Sequence, residues 1–330
     1  MNWTDVEVLV TGAGGFIGSH LTAKLADLGA NVRAYVHYNS RNDWGNLAFL
    51  TDAQMGRVRP IAGNVEDAGS VDEAVAGCRC VFHLAALIGI PYSYVAPRSY
   101  VATNIGGTLN VLDAVRRHGV PKMVHTSTSE AYGTALYSPI DEKHPLQGQS
   151  PYSATKIGAD KLAESYHRSF GVPVATIRPF NTYGPRQSAR AVIPTIIAQL
   201  LTGRKTVELG ALDPERDLTF VEDTVLGFLA MAESDRSIGE TINVGNGKTI
   251  SIGGLAQTIV DMVNPDAKIV SVPDRVRPEK SEVMRLICGN QKAKELLGWE
   301  PTVSLYDGLA RTVEFVREHL DLYRPEEYTV

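Results

Sequence analysis

The sequence predicts an α/β protein built on a doubly wound parallel sheet, and three observations lead to that prediction. Short runs rich in β-branched residues alternate with helical stretches through the first half of the chain. A glycine-rich turn follows the first of these runs, and the pattern loosens after about residue 180. Buried strands that alternate with helices are typical of a parallel sheet covered on both faces. We therefore expect such a sheet, followed by a smaller, mixed C-terminal portion.

The elements of the first half can be assigned in order. The runs predicted as buried strands are Val6–Val10, Val32–Val36, Cys80–Leu84, Met123–Thr126 and Val174–Ile177. The helices predicted between them include Phe16–Leu28, Ala102–His118 and Tyr152–Phe170. Beyond residue 180, proline and glycine interrupt the chain more often, which is typical of shorter elements and loops. We expect one domain over residues 1–180 and a smaller one over residues 181–330, interleaved rather than joined by a linker.

Composition limits the kinds of function that the chain can have. It has 330 residues, 44% hydrophobic and 21% charged, with a formal net charge of -5. An acidic balance argues against a nucleic-acid partner, because phosphate backbones require a basic face. No run approaches the ~18 apolar residues of a membrane span, and no signal peptide is apparent, so a cytoplasmic protein is expected. The three cysteines form neither a disulfide framework nor a zinc motif, so no metal is expected.

The turn after the first strand has the spacing of a phosphate-binding loop. Gly12, Gly15 and Gly18 stand three residues apart, and Phe16 and Ile17 fill the last interval. The first glycine permits a tight turn, the second lets a pyrophosphate approach the backbone, and the third allows close packing of helix on strand. The unpaired N–H groups at the helix start would then hold the pyrophosphate. The turn therefore predicts a dinucleotide-binding domain.

The end of the second strand bears on the choice of dinucleotide. An acidic residue there would bind the adenosine ribose of NAD. This strand ends without one and runs into Asn39, Ser40 and Arg41. A guanidinium flanked by small polar side chains can accept a 2'-phosphate, so the sequence slightly favours NADP over NAD.

Two further strand ends are expected to line the same cofactor. Asn64 and Val65 follow the third strand and are predicted to lie beside the adenine. Leu84, Ala85 and Ala86 follow the fourth strand, and their small apolar character would let the nicotinamide ribose lie close.

A tyrosine and a lysine carry the central candidate chemistry. Tyr152 and Lys156 are four residues apart, so they lie one turn apart on the same face of a helix. Ser150 is predicted as the N-cap of that helix, with Pro151 at its first position. A nearby ammonium favours phenolate, so we expect Lys156 to lower the pKa of Tyr152 from ~10 and make it a base. Lys156 would also hold the nicotinamide ribose.

The carboxyl end of the fifth strand supplies a second group of polar side chains. Thr128, Ser129 and Glu130 follow that strand directly, where ligands bind in a doubly wound sheet. Oxidation of an alcohol needs only a hydroxyl at this point to hold the substrate oxygen. A carboxylate therefore indicates an additional proton transfer at a carbon atom.

These motifs, in this order, resemble the extended short-chain dehydrogenase/reductase family. The stretches that carry the resemblance are the glycine turn, Thr128-Ser129-Glu130, Tyr152-x-x-x-Lys156 and Arg178-Pro179-x-Asn181-x-Tyr183-Gly184-Pro185. Its members are nucleotide-sugar epimerases, dehydratases and decarboxylases. The stretch from Val36 to Trp44 and the later one from Arg277 to Leu286 resemble dehydratases of the legionaminic-acid type, which act on nucleotide-linked N-acetylglucosamine.

The resemblance implies a 4,6-dehydratase that converts a nucleotide-linked hexose to its 4-keto-6-deoxy form. Many such enzymes carry an aspartate at the position of Ser129, so the identity of the C6 acid stays open. By the same resemblance, Asn181, Arg216 and Arg277 are expected to contact the sugar diphosphate, and Glu282 to hold nucleotide or ribose hydroxyls.

Other assignments stay open from sequence alone. A UDP-glucuronate decarboxylase can also carry Thr-Ser-Glu, but it needs a cationic group for the C6 carboxylate. A 4-epimerase has no use for Glu130, and a non-catalytic NAD(P)-sensing regulator has no use for Tyr152 and Lys156. The resemblance further implies a homodimer, formed through a four-helix bundle of Asn104–His118 and Tyr152–Phe170 from each copy.

Overall fold

The structure is a computed structural model that describes residues 2–272 and 284–323. Its α-helices are α1 Phe16–Asp27, α2 Asp52–Met55, α3 Ala68–Val75, α4 Ile90–Val95, α5 Pro97–Tyr100, α6 Gly107–Arg117, α7 Pro151–Phe170, α8 Val192–Leu201, α9 Val221–Glu233, α10 Ile252–Val263, α11 Gln291–Leu297 and α12 Leu305–Glu318. Its β-strands are β1 Glu7–Thr11, β2 Asn31–His37, β3 Val58–Gly63, β4 Cys80–His83, β5 Met123–Thr126, β6 Val174–Pro179, β7 Thr182–Tyr183, β8 Thr206–Leu209, β9 Glu215–Asp217, β10 Thr219–Phe220, β11 Thr241–Val244, β12 Thr249–Ser251, β13 Lys268–Ser271 and β14 Arg285–Leu286.

Seven parallel strands form the main sheet, in the order β11-β6-β5-β4-β1-β2-β3. The five strands predicted from sequence are all present, with bounds within two residues of those expected. The strand order reverses between β1 and β4, and ligands bind at the carboxyl edge of such a sheet at that point. The predicted α/β fold is therefore confirmed, with its crevice between the two central strands.

The central strands are largely apolar because helices cover both faces of the sheet. Val8, Leu9 and Val10 of β1 are fully buried. Val8 and Val10 belong to the core under α1 and α9, and Leu9 belongs to the core under α3, α6 and α7. Successive side chains of a strand point to opposite faces, so a strand buried on both faces has no polar side to alternate with.

The chain beyond residue 180 contributes to the main sheet as well as to a smaller layer. Strand β11 pairs in parallel with β6 at the sheet edge, and α9 packs against α1. The remaining strands form three small sheets, of which the one made by β12, β9 and β14 is mixed. A second apolar core, which includes Ile196, Leu255 and Leu309, lies between α8, α10 and α12.

The helix predicted from Ala102 to His118 does not run as one regular helix. Its first part is a π-helix over Val101–Gly106, which continues as α6. Asn104 lies within the π-helix and is buried, and its amide donates to the carbonyl of Leu87 and to Oγ1 of Thr155, both at 3.0 Å. The wider π turn accommodates these tertiary contacts, and single π turns often occur beside functional sites.

The helices and the cysteines of the described residues bear on the expectations drawn from composition. Within residues 2–272 and 284–323, no helix has both the length and the apolar character that a membrane crossing requires. Cys78, Cys80 and Cys288 are buried, free thiols. Burial raises the pKa of the Cys78 thiol to about 11, so it is held as the unreactive thiol.

Candidate active site

The glycine turn has the geometry of a phosphate cradle. Gly12 has a φ angle of +71°, and a Cβ atom at this position would lie only 2.8 Å from the backbone nitrogen of Ala85. Gly15 is the N-cap of α1, and no side chain among the described residues caps that helix. The N–H groups of Phe16 and Ile17 begin the first turn and can hold an anion. This part of the chain therefore fits a dinucleotide pyrophosphate.

Thr11 joins the two central strands beneath this turn, a role that the sequence analysis missed. Its Oγ1 accepts hydrogen bonds from the N–H groups of Leu84 and Ala85, both at 3.1 Å. The same hydroxyl lies 2.8 Å from Nδ1 of His83. These contacts place Leu84, Ala85 and the neighbouring Ala86 directly across from the glycine turn, where the predicted cofactor would pass.

The loop after β2 is shaped by Asn39. Its Oδ1 accepts the backbone N–H groups of Arg41 and Asp43, at 3.0 and 3.1 Å, and its Nδ2 donates to the carbonyl of Asp43 at 2.7 Å. Asn39 therefore has a structural role that the sequence did not indicate. Ser40 and Arg41 are exposed, so the guanidinium is available to a ligand.

Two neighbouring segments lie along the same edge of the sheet. The loop after β2 returns to the glycine turn, where the N–H of Asn46 donates to the carbonyl of Gly14 at 2.9 Å. Asn64 caps the backbone N–H of Glu66, and Val65 is buried beside α6. The structure thus brings the predicted cofactor residues to one edge of the sheet.

The helix that carries Tyr152 and Lys156 begins as predicted. Ser150 is the N-cap of α7, its Oγ accepts the N–H of Ser153 at 3.1 Å, and Pro151 occupies the first helical position. Tyr152 and Lys156 are both buried. Lys156 Nζ donates to the carbonyl of Thr126, at the end of β5, at 2.6 Å.

The charge environment of this pair differs from expectation. Burial raises the pKa of Tyr152, the charge of Glu130 raises it further, and a hydrogen bond with Thr128 lowers it. Burial also lowers the pKa of Lys156 to about 8. The predicted lowering of the tyrosine pKa is therefore wrong for the protein alone, because burial destabilises the phenolate by more than the Thr128 hydrogen bond stabilises it.

The turn after β5 places two of its three candidate residues beside Tyr152. Thr128 accepts the N–H of Glu130 at 3.2 Å and caps the 3-10 turn Ser129–Tyr132. Ser129 is buried, whereas Glu130 is half-buried. Glu130 is close enough for its charge to act on the Tyr152 hydroxyl. Thr128, Glu130 and Tyr152 thus form one cluster at the carboxyl edge of the sheet.

The predicted sugar-phosphate residues are placed in part. Asn181 follows β6, and its buried Nδ2 has no partner within the described residues. Arg216 is half-buried on β9, where its Nη1 donates to the carbonyl of Glu215 at 3.0 Å. Arg277 and Glu282 lie outside the described residues.

Tyr100 is a further residue of this region that the sequence did not single out. Its ring stands edge-on to that of Tyr152, with the ring centroids 6.4 Å apart. Its hydroxyl donates to the carbonyl of Gly89 at 2.5 Å. A lone tyrosine on a helix carries no sequence signal for this role, because the contact depends on how α5 packs against α7.

A phosphate turn and a buried tyrosine–lysine pair at the same sheet edge define the class, which is that of the nicotinamide-dependent short-chain dehydrogenases/reductases. The family model described as GDP-mannose 4,6 dehydratase matches residues 9–312. The chain belongs to the extended branch of this class, the NAD-dependent family of nucleotide-sugar dehydratases and epimerases.

Individual relatives include both dehydratases and epimerases. A dTDP-glucose 4,6-dehydratase of Streptomyces antibioticus is 32% identical over 324 residues, which is 97% of this chain and 95% of the relative. The dTDP-glucose 4,6-dehydratase of Streptomyces venezuelae, solved with NAD bound, aligns with a TM-score of 0.85 at 31% identity, over 98% of this chain and 100% of that one. The UDP-glucose 4-epimerase of Thermotoga maritima, solved with UDP-glucose, gives 0.86 at 31% identity, over 96% and 100%.

Proposed function

We propose that this protein is a nucleotide-sugar 4,6-dehydratase. The observation that carries the proposal is Glu130, a carboxylate whose charge reaches the Tyr152 hydroxyl in the same cluster. A 4-epimerase requires one base at the sugar 4-hydroxyl, whereas removal of water across C5 and C6 requires a second at C5. Glu130 supplies that second group.

The first step is assigned to the helix pair and the turn. The bound nicotinamide supplies a hydride acceptor that takes hydride from C4 and later returns it to C6. Tyr152 removes the proton of the 4-hydroxyl, and Thr128, its hydrogen-bond partner, holds the same oxygen. Lys156, one turn further along α7, would hold the nicotinamide ribose.

The second step is assigned to Glu130. Oxidation at C4 makes the C5 proton acidic, and Glu130 removes it. The departing C6 hydroxyl takes a proton from Glu130 or from a water held by Ser129. When hydride returns to C6, C5 regains a proton, which balances the one that Tyr152 took from the 4-hydroxyl. Each general acid–base step of this kind contributes about 10²–10⁴-fold to the rate.

Two unpartnered buried groups support a ligand in this crevice. Oγ1 of Thr126 and Nδ2 of Asn181 have no hydrogen-bond partner within residues 2–272 and 284–323. Buried polar groups are nearly always satisfied, so a bound ligand is the natural partner. We assign Asn181 and Arg216 to the sugar diphosphate, together with Arg277 and Glu282, and nucleotide-linked N-acetylglucosamine as the substrate.

A panel of nucleotide sugars tests the proposal. Purified protein is incubated with UDP-, GDP-, CDP- and dTDP-linked hexoses, including the N-acetylglucosamine forms, and the products are weighed by mass spectrometry. Loss of one water, with no net build-up of reduced nicotinamide, is the expected result. Stoichiometric NAD(P)H would instead identify a simple dehydrogenase, and a product of unchanged mass an epimerase.

Arg190 favours a decarboxylase as the second candidate. Its Nη1 lies 3.1 Å from the position that a Cβ atom on Gly89 would take, and its charge acts on Tyr100, which packs against Tyr152. Such a cation is what a C6 carboxylate would need. UDP-glucuronate is therefore added to the panel, and loss of carbon dioxide from it would establish this activity and refute the dehydratase.

The cofactor preference is tested at Arg41. The absence of a carboxylate at the end of β2 and the exposed guanidinium support NADP, whose additional phosphate would contact Arg41. We expect Arg41→Ala to weaken NADP binding by about tenfold or more and to leave NAD binding nearly unchanged, because a charge-assisted hydrogen bond is lost. Titration calorimetry with both dinucleotides measures this. Arg59→Ala, an exposed arginine on β3, is the control, and equal losses for NAD and NADP at Arg41 would contradict the preference.

A homodimer is proposed through the π-helix, α6 and α7. Val101 and Phe170 are exposed apolar residues of these helices, and Ala102 and Ala154 are small, exposed neighbours that permit close helix packing. We expect Val101→Glu to shift the protein to monomers, because the introduced carboxylate would be buried without a partner.

Analytical ultracentrifugation measures this shift. Val270→Glu places the same charge on a partly exposed valine of β13, far from the helix pair, and should leave the dimer intact. A parent protein that sediments as a monomer would refute the dimer. A dimer that is unaffected by Val101→Glu would place the interface elsewhere.

A further inference from the structure

A buried ion pair lies one helical turn beyond Lys156, outside the groups that the proposed reaction uses. Asp160 of α7 and Arg178 of β6 are 6% and 3% exposed, and Arg178 Nη2 lies 2.7 Å from Asp160 Oδ2. Asp160 also receives Ser127 Oγ at 2.5 Å and His125 Nε2 at 3.0 Å. A carboxylate withdrawn from water in this way is tolerated only because it is fully hydrogen-bonded.

The end of β5 contacts α7 at three consecutive positions. The carbonyl of Thr126 accepts from Lys156, the hydroxyl of Ser127 donates to Asp160, and the side chain of Thr128 bonds to Tyr152. The middle contact is the one that includes the ion pair, since Nε of Arg178 also donates to Ser127 Oγ at 3.1 Å. Asp160 therefore links α7 to β5, the strand that precedes the turn of Thr128 and Glu130.

Arg178 extends the same support to Glu130. Its guanidinium lies over the ring of Tyr132, 4.5 Å from the ring centroid. Tyr132 ends the 3-10 turn that contains Ser129 and Glu130, and its hydroxyl donates to Oδ1 of Asn243 at 2.7 Å. Asp160 thus belongs to the helix that carries Tyr152, and Arg178 packs on the turn that carries Glu130.

We propose that Asp160 and Arg178 are positioning residues, which hold Tyr152 and Lys156 in register with Thr128 and Glu130, and that the Asp160 carboxylate also keeps Lys156 charged. Neither residue contacts substrate or cofactor in this scheme. The inference rests on the proposed function for the roles of Tyr152, Lys156 and Glu130. Its electrostatic part concerns the protein alone and can be tested without a substrate.

The charge on Lys156 depends on few neighbours. The titratable and charged groups around it are Tyr152 and Asp160 on α7, His83 on β4, His125 on β5, Arg178 on β6 and Glu130 in the turn. Burial lowers the pKa of both histidines, so they are neutral near neutral pH. Burial lowers the pKa of Lys156 to about 8, and the Asp160 carboxylate opposes that effect. Asp160 therefore keeps the ammonium protonated at neutral pH.

The test replaces Asp160 by asparagine, which retains the shape and removes the charge. The ionisation of Lys156 is followed by the chemical shift of its carbon-13-labelled ε-carbon, assigned with Lys156→Arg. We expect Asp160→Asn to lower the Lys156 pKa by about one unit, a tenfold change in its ionisation constant. The alkaline limb of the kcat–pH profile should move down by the same amount, while KM changes less than about twofold. Glu164→Gln is the matched control, since Glu164 lies one turn further along α7 in exposed pairs with Lys161 and Arg168.

Asp160→Asn leaves a buried guanidinium unpaired and can therefore misfold, so a second variant is needed. The double substitution Asp160→Asn, Arg178→Met removes the unpaired guanidinium, and it should lower the Lys156 pKa by less than Asp160→Asn alone, because the loss of the like charge on Arg178 acts in the opposite direction. An unchanged Lys156 pKa in folded Asp160→Asn, or a double variant with a larger downward shift than the single one, would overturn the inference, whatever the substrate is. A shifted pKa with an unmoved kcat–pH profile would overturn it as well. An enzyme that proves to be an epimerase would refute the proposed function and leave the lysine titration intact.

Discussion

Replacing Glu130 with glutamine is expected to leave oxidation at C4 intact and to stop the loss of water. Glutamine preserves the shape of the side chain and its hydrogen bonding, but it cannot accept the C5 proton. Product formation should fall on the order of 10²-fold or more, because a positioned base is lost. Reduced nicotinamide should build up in a single turnover, since hydride that leaves C4 no longer has an acceptor at C6. Stopped-flow absorbance and product mass measure the two effects, and exchange of the C5 hydrogen in deuterated water should fall with them.

Glu7→Gln is the control for this substitution. Glu7 begins β1 at the opposite end of the sheet, where it pairs with Arg33 at 3.3 Å, so its loss should not affect turnover. Should Glu130→Gln dehydrate the substrate at a rate near that of the parent, Glu130 is a structural residue of the turn. The proposal would then lose the observation that carries it.

Replacing Tyr152 with phenylalanine should stop the reaction at its first step. No reduced nicotinamide should form, because no group remains to take the proton of the 4-hydroxyl as hydride leaves C4. The loss of kcat should be on the order of 10²–10⁴-fold, with dinucleotide binding nearly unchanged. Rapid-mixing absorbance separates this block from that of Glu130→Gln, in which the reduced form accumulates. Epimerases share this first step, so the tyrosine variant tests the oxidation and the glutamate variant tests the dehydration.

The helix itself supplies the control for the tyrosine. Tyr166 lies on α7 further from the sheet edge, and its hydroxyl donates to Asp113 at 2.6 Å. Tyr166→Phe should cost little activity, because the hydrogen bond it removes lies outside the cluster of Thr128, Glu130 and Tyr152. Residual oxidation by Tyr152→Phe at a rate near that of the parent would move the base to another residue.

The sequence by itself determined the features that depend on local pattern. The alternation of apolar runs and helices indicated the central strands, since strand and helix have different hydrophobic periods. The glycine spacing indicated the phosphate turn at Gly12, and the four-residue interval placed Tyr152 and Lys156 on one helix face. Ser150 and Pro151 marked the start of α7 through capping preferences that act within a single turn.

Only the tertiary structure decided how distant segments meet and what their burial does to charge. Strand β11 joins the main sheet from more than sixty residues beyond β6, and the π-helix forms where Asn104 reaches Leu87 and Thr155. The direction of the shift in the Tyr152 pKa was predicted wrongly, because the spacing of two residues in the sequence carries no information about their burial. The pairing of Asp160 with Arg178 was likewise hidden. Local periodicity records which face of an element is apolar, whereas the loss of water around a charge depends on every segment that packs against it.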